Sequence, residues 1–168
     1  MNNSKAGKAI RNSLLAVALS AVFAGTALAT GAVDFTSTPL ARGTMTATVH
    51  FKAHIHGSPK AQIAFETKGA VVINTVMITV KPGGSSGWHS HPGFVLVTVK
   101  QGAVTFYDTS CSPTVYPEGT SFVESADDGP GLARNEGTID YIAYATFVAP
   151  PGTTAFRIDE ANPGCPQS

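Results

Sequence analysis

The residues with most chemistry to offer sit in "GWHSHPG", Gly87 to Gly93. His89 and His91 are two apart, and on an extended strand residues i and i+2 point to the same face. Two imidazoles on one face make half of a site for a borderline first-row metal ion. The other reading is a hydrogen-bonded polar pair that holds no metal. Further histidines lie upstream in "TVHFKAHIHG", where His50, His54 and His56 alternate with Val49, Phe51, Ala53 and Ile55. That stretch reads as a strand with a solvated polar face, or as a histidine-lined interior.

No other chemistry stands out. There is no His-Glu-x-x-His and no phosphate-cradling glycine loop. "PGGSSG" is glycine-rich but precedes a strand pattern, so it reads as a turn. Cys111 and Cys165 are the only cysteines, and both lie beside turn residues. In an oxidising compartment an even pair reads as a disulfide rather than two thiols.

The start of the chain points to such a compartment. Lys5, Lys8 and Arg11 precede the apolar run "LLAVALSAVFAGTALA", Leu14 to Ala29, which ends in small residues. This is the pattern of a cleaved export signal over residues 1–29, with cleavage after Ala29. The run is shorter than the roughly 20 residues a spanning helix needs. Residues 30–168 then form one domain. All three cations of residues 1–29 leave with them, so 8 of the 11 Lys+Arg stand against 11 Asp+Glu, a net charge of −3. No basic stripe is present, which argues against a nucleic-acid partner. No second long apolar segment follows, which argues against a membrane span after processing.

The elements that must position the histidines are strands. "VVINTVMITV" (71–80), "FVLVTVKQGAVTFYD" (94–108) and "YIAYATFVAP" (141–150) alternate and are rich in Val, Ile, Thr and aromatics. Gly, Pro, Asp and Ser clusters bound them, at residues 81–87, 100–102, 108–119, 125–131 and 135–137. Short strands at such spacing predict an all-β sandwich or barrel.

Over residues 70–150 the chain resembles the cupin superfamily. The first cupin motif runs glycine, five residues, His-x-His, a short gap, Glu, six residues, glycine. Here Gly83, His89, His91 and Gly102 take their places, and Val95 stands at the glutamate position. In the second motif Gly119, Asn135 and Gly137 fit, with Ser125 at the proline position and Gly131 at the histidine position. The resemblance implies an all-β cupin double-stranded β-helix, or jelly roll, behind the signal peptide.

Cupins typically hold one divalent transition metal inside the barrel on three histidines and a glutamate. His89 and His91 are the retained ligands. Glu124, the nearest carboxylate in the second motif, is the first candidate for a third, ahead of His50, His54 and His56. Trp88 and Asn135 are expected at the pocket, Trp88 at the barrel mouth or core and Asn135 through its carbonyl oxygen. The function implied is an exported cupin that binds a small molecule beside a metal, with oxygenase, isomerase or lyase chemistry. The alternative is a metal-free binding module that kept the pocket. Cupins often pair through edge strands, so the resemblance allows a homodimer, though no residue argues for one.

Overall fold

The computed structural model describes residues 29–54 and 62–166. Of the expectations above, the signal segment before Ala29, His56 and the His54 side chain lie outside the described residues.

In chain order the strands are β1 (Val33–Met45), β2 (His50–His54), β3 (Gln62–Glu66), β4 (Val71–Ser85), β5 (His89–Ser90) and β6 (Phe94–Gln101). Then come β7 (Ala103–Tyr107), β8 (Pro113–Pro117), β9 (Ser121–Ser125), β10 (Leu132–Arg134), β11 (Tyr141–Ala149) and β12 (Ile158–Asp159). Among the described residues the only helical element is one 3-10 turn, Ala126–Asp128. Eight strands form one sheet in the order β8-β7-β10-β4-β11-β6-β9, with β1 also on β4. β8 comes back beside β6, so the sheet curls into a nearly closed barrel. This is the jelly roll that the resemblance implies.

The alternating patterns bury one face, as period-two strands must. Val95, Val97 and Val99 of β6 point inward, and Leu96 points out. Tyr141, Ala143, Ala145 and Phe147 of β11 meet them, with Val76 and Val80 of β4. The stretch 94–108 is two strands, parted in the expected break at Gly102. Its φ of +73° suits a residue without a Cβ, and an added Cβ would stand 2.8 Å from the Asp140 carbonyl oxygen.

Three local expectations change. Residues 81–85, expected in a break, continue β4, because Ser85 finds partners in Val33 of β1 and Arg134 of β10. β1, which has no apolar alternation, runs antiparallel along β4 from Val33↔Ser85 to Met45↔Val71 with nearly every side chain exposed. The "TVHFKAH" strand does not line the interior. β2 pairs only with β3 in a separate hairpin, where exposed His50 faces Glu66 at 3.6 Å.

A second, smaller core holds Trp88, Tyr107, Leu132 and Cys165. The Cys111–Cys165 disulfide is present and ties the C-terminal tail to the loop between β7 and β8.

Candidate metal centre and cavity

β5 is short, and its neighbours hold it in place. Asp159 and Ile158 of β12 pair with His89 and Ser90. On its other side His89 exchanges two backbone hydrogen bonds with Gly131, each 2.9 Å. The extended backbone turns His89 and His91 to one side, where their rings meet edge to face at 4.8 Å between centroids. Both are buried.

Glu124 completes the group. It lies on β9 directly opposite Val95 of β6. The carboxylate missing from position 95 is thus supplied by the facing residue of the next strand. Glu124 Oε2 stands 3.3 Å from His91 Nε2 and 3.7 Å from His89 Nε2. One ligand atom from each of the three residues lies within 4.8 Å of the others. No cation from Lys or Arg pairs with Glu124 among the described residues.

Each imidazole has its other nitrogen on a backbone carbonyl. His89 Nδ1 is 3.0 Å from the Gly87 oxygen, and His91 Nδ1 is 2.6 Å from the Phe156 oxygen. A carbonyl only accepts, so both Nδ1 atoms carry the proton. In the neutral rings the Nε2 lone pairs then face Glu124. A carbonyl-oriented histidine is the usual support of a metal ligand. Three acceptors that converge on one point need a cation among them, either a metal ion or a proton shared by imidazolium and carboxylate. The donor set therefore fits a divalent transition metal.

Burial lowers the His89 pKa below its ordinary value, outweighing the attraction of Glu124. Burial works to raise Glu124, but the His91 hydrogen bond and the charges of the two histidines outweigh it and hold the carboxyl below its ordinary value. Both directions have one consequence for metal-free protein. The folded state binds fewer protons than the unfolded chain, so stability rises with pH across each window. The His89 contribution is complete above about pH 6.5, the ordinary imidazole value, and is lost as pH falls toward its lowered pKa. Thermal melts of metal-free protein between about pH 7.5 and pH 5 should show this decline, and His89→Asn should flatten it. An unchanged slope in the variant would remove His89 as its source.

The fourth ligand position of the cupin pattern is closed. A Cβ on Gly131 would lie 2.2 Å from Phe106 Cζ, so the Phe106 ring fills the space a side chain there would use.

Beside the three residues lies a cavity of about 260 Å³. Its walls are mostly hydrocarbon and aromatic, among them Val97, Phe122, Phe147 and Phe156. Two expected pocket residues are not in its wall. Trp88 is fully buried in the second core, against Tyr107 and Leu132. Asn135 is a backbone staple. Its Nδ2 donates to the Val80 and Ile139 carbonyls at 2.8 Å each, and its Oδ1 accepts from the Gly137 N–H. The wall instead includes Arg157, which the sequence did not single out. Arg157 donates from one terminal nitrogen to the Ser86 carbonyl and pairs with Asp159 at 2.8 Å. Its Nε is buried without a hydrogen-bond partner. Only an arginine between Phe156 and Ile158 was visible beforehand. Phe122 was more legible, since it shares a strand face with Glu124.

No protein-family model matches the chain, and no curated protein does. Solved structures do. An uncharacterized Klebsiella pneumoniae protein with a double-stranded β-helix domain aligns at TM-score 0.45 and 24% identity, over 52% of this chain and 75% of that one. The Cupin_2 domain of an XRE family transcriptional regulator from Enterobacter cloacae aligns at 0.39 and 17%, over 47% and 82%. A predicted oxalate decarboxylase from Thermotoga maritima aligns at 0.38 and 21%, over 49% and 82%. These likenesses are partial and concern the fold. The chain's own strand order makes a nearly closed, all-β jelly roll, the double-stranded β-helix type of fold.

Proposed function

We propose that this is an exported metal-binding cupin that holds one divalent transition metal on His89, His91 and Glu124 and binds a small molecule in the cavity beside it. The observation that carries the reading is the convergence of two carbonyl-oriented imidazoles and a carboxylate, its side chain only 12% exposed, that has no Lys or Arg partner among the described residues. A metal ion on two histidines and one carboxylate supplies Lewis acidity and, where it is redox-active, oxygen chemistry. The chain's own part is to fix the ligand tautomers and to shield the site with apolar walls. The second reading, a metal-free binding module, draws on Val95 and Gly131, which leave two cupin ligand positions without a ligand. Metal analysis of protein purified without a histidine tag separates the two. About one equivalent per chain supports the first. No metal and no saturable binding supports the second.

Export rests on the basic and apolar start of the chain, and the disulfide supports it. Mass spectrometry of protein recovered from outside the cytoplasm should find a chain that begins at Thr30. A mature chain that keeps Lys5 or Arg11 would count against it.

A further inference from the structure

We infer that the ligand of this cavity is a small monocarboxylate with an apolar body about the size of one ring. The inference rests on the metal-bound reading above and adds the ligand class. A cavity of about 260 Å³ is small. An engineered apolar cavity of roughly 150 Å³ accepts benzene, so this one has room for a ring with a substituent. The wall is mostly apolar, with Val76, Val97, Phe122, Phe147 and Phe156. Its uncharged polar members, Ser37, Asn74, Ser86 and Tyr141, are too few to satisfy the many hydroxyls of a sugar, and none of them offers a second carboxylate a cation.

The charged side chains of the wall gather in one region. His89, His91 and Glu124 form the metal group, and the adjoining backbone brings in Arg157, since the Phe156 carbonyl holds His91. With a divalent ion bound, one Glu124 carboxylate leaves a net positive charge there. Arg157 adds another, and its counter-ion Asp159 is half exposed, where water screens it. Arg157 also keeps a buried Nε–H with no acceptor. Two positive centres beside hydrocarbon walls select an anion whose remainder is apolar. An incoming carboxylate offers Arg157 the acceptor it lacks.

The test is calorimetric titration of benzoate, neutral benzyl alcohol and oxalate into zinc-loaded and metal-free protein. Zinc affinity is measured first. Benzoate should bind the loaded parent about tenfold or more tighter than benzyl alcohol, the size of a charge-assisted contact. Oxalate should bind more weakly than benzoate. Arg157→Met should lose most of the preference for benzoate, and Arg157→Lys, which keeps the charge, should retain part of it. Ala145→Leu, which adds bulk to the cavity wall, should weaken benzoate and leave zinc affinity in place. Zinc binding without a benzoate preference, a preference that survives Arg157→Met, or oxalate bound tighter than benzoate overturns the ligand class and leaves the metal reading standing. A parent that takes neither zinc nor benzoate overturns both. A parent that takes no zinc but binds benzoate through Arg157 overturns the metal reading and keeps the ligand class.

Discussion

Glu124→Gln is expected to lower divalent-metal affinity at least about 100-fold, with His89→Ala and His91→Ala doing the same. Loss of a partner that merely orients a ligand costs roughly 10- to 100-fold, and loss of a ligand exceeds that. Among the described residues only three protein ligands converge, so no spare donor is at hand there, and Phe106 blocks a side chain from position 131. Parent protein should bind about one equivalent, with Cu²⁺ favoured over Ni²⁺ and Mn²⁺ by the usual divalent order. His50→Ala serves as the control, because His50 is exposed on the separate hairpin beside Glu66.

The same variants distinguish a metal from a shared proton. If His91 and Glu124 form a buried ion pair in a metal-free module, Glu124→Gln strands an imidazolium and destabilises the protein by several kcal/mol, as broken buried pairs do. If the three acceptors await a metal, Glu124→Gln removes a buried charge, and the metal-free protein melts no lower than the parent near pH 7. Calorimetric titration with thermal melting reads both effects. Variants that bind metal like the parent would reduce "GWHSHPG" to a cupin strand that kept its histidines.

The two histidines were legible because a strand's period of two is a geometric certainty, whichever strands flank it. Glu124 was legible only as a candidate. Its value depends on standing opposite Val95, and register between β6 and β9 is a property of the assembled sheet. β1 left no signal because apolar alternation records burial. This strand lies along β4 with nearly all its side chains in solvent, held mainly by backbone pairing, while Phe35 packs on the core. Phe156 and Arg157 reach the site through the pairing of β12 with β5, some 70 residues apart in the chain. No local pattern marks such a contact. Trp88 and Asn135 were placed by their neighbours in the motif, yet motif residues also build the scaffold: Asn135 spends its side-chain amide on backbone groups of β4 and the following turn.

Breaking the Cys111–Cys165 disulfide should lower stability by about 4 kcal/mol in the chain-entropy model, because the bridge closes a loop across 54 residues. For a domain of this size that is a fall in melting temperature of roughly 10 °C. The effect should reach the metal centre as well. The bridged tail follows β12 directly, and the segment that enters β12 carries both the Phe156 carbonyl that orients His91 and the Arg157 side chain. Cys165 packs beside Trp88 and Leu132, and the Trp88 carbonyl accepts from the Glu160 N–H. A loosened tail therefore slackens the pairing that seats His89 and His91. Reduced protein and the Cys111→Ser/Cys165→Ser variant should melt lower and bind metal more weakly than oxidised parent. Matched melts and metal titrations of the three forms check this. Two thiols titrating in non-reduced, denatured protein would show that no bridge forms, and equal melting temperatures would show that it contributes nothing to the fold.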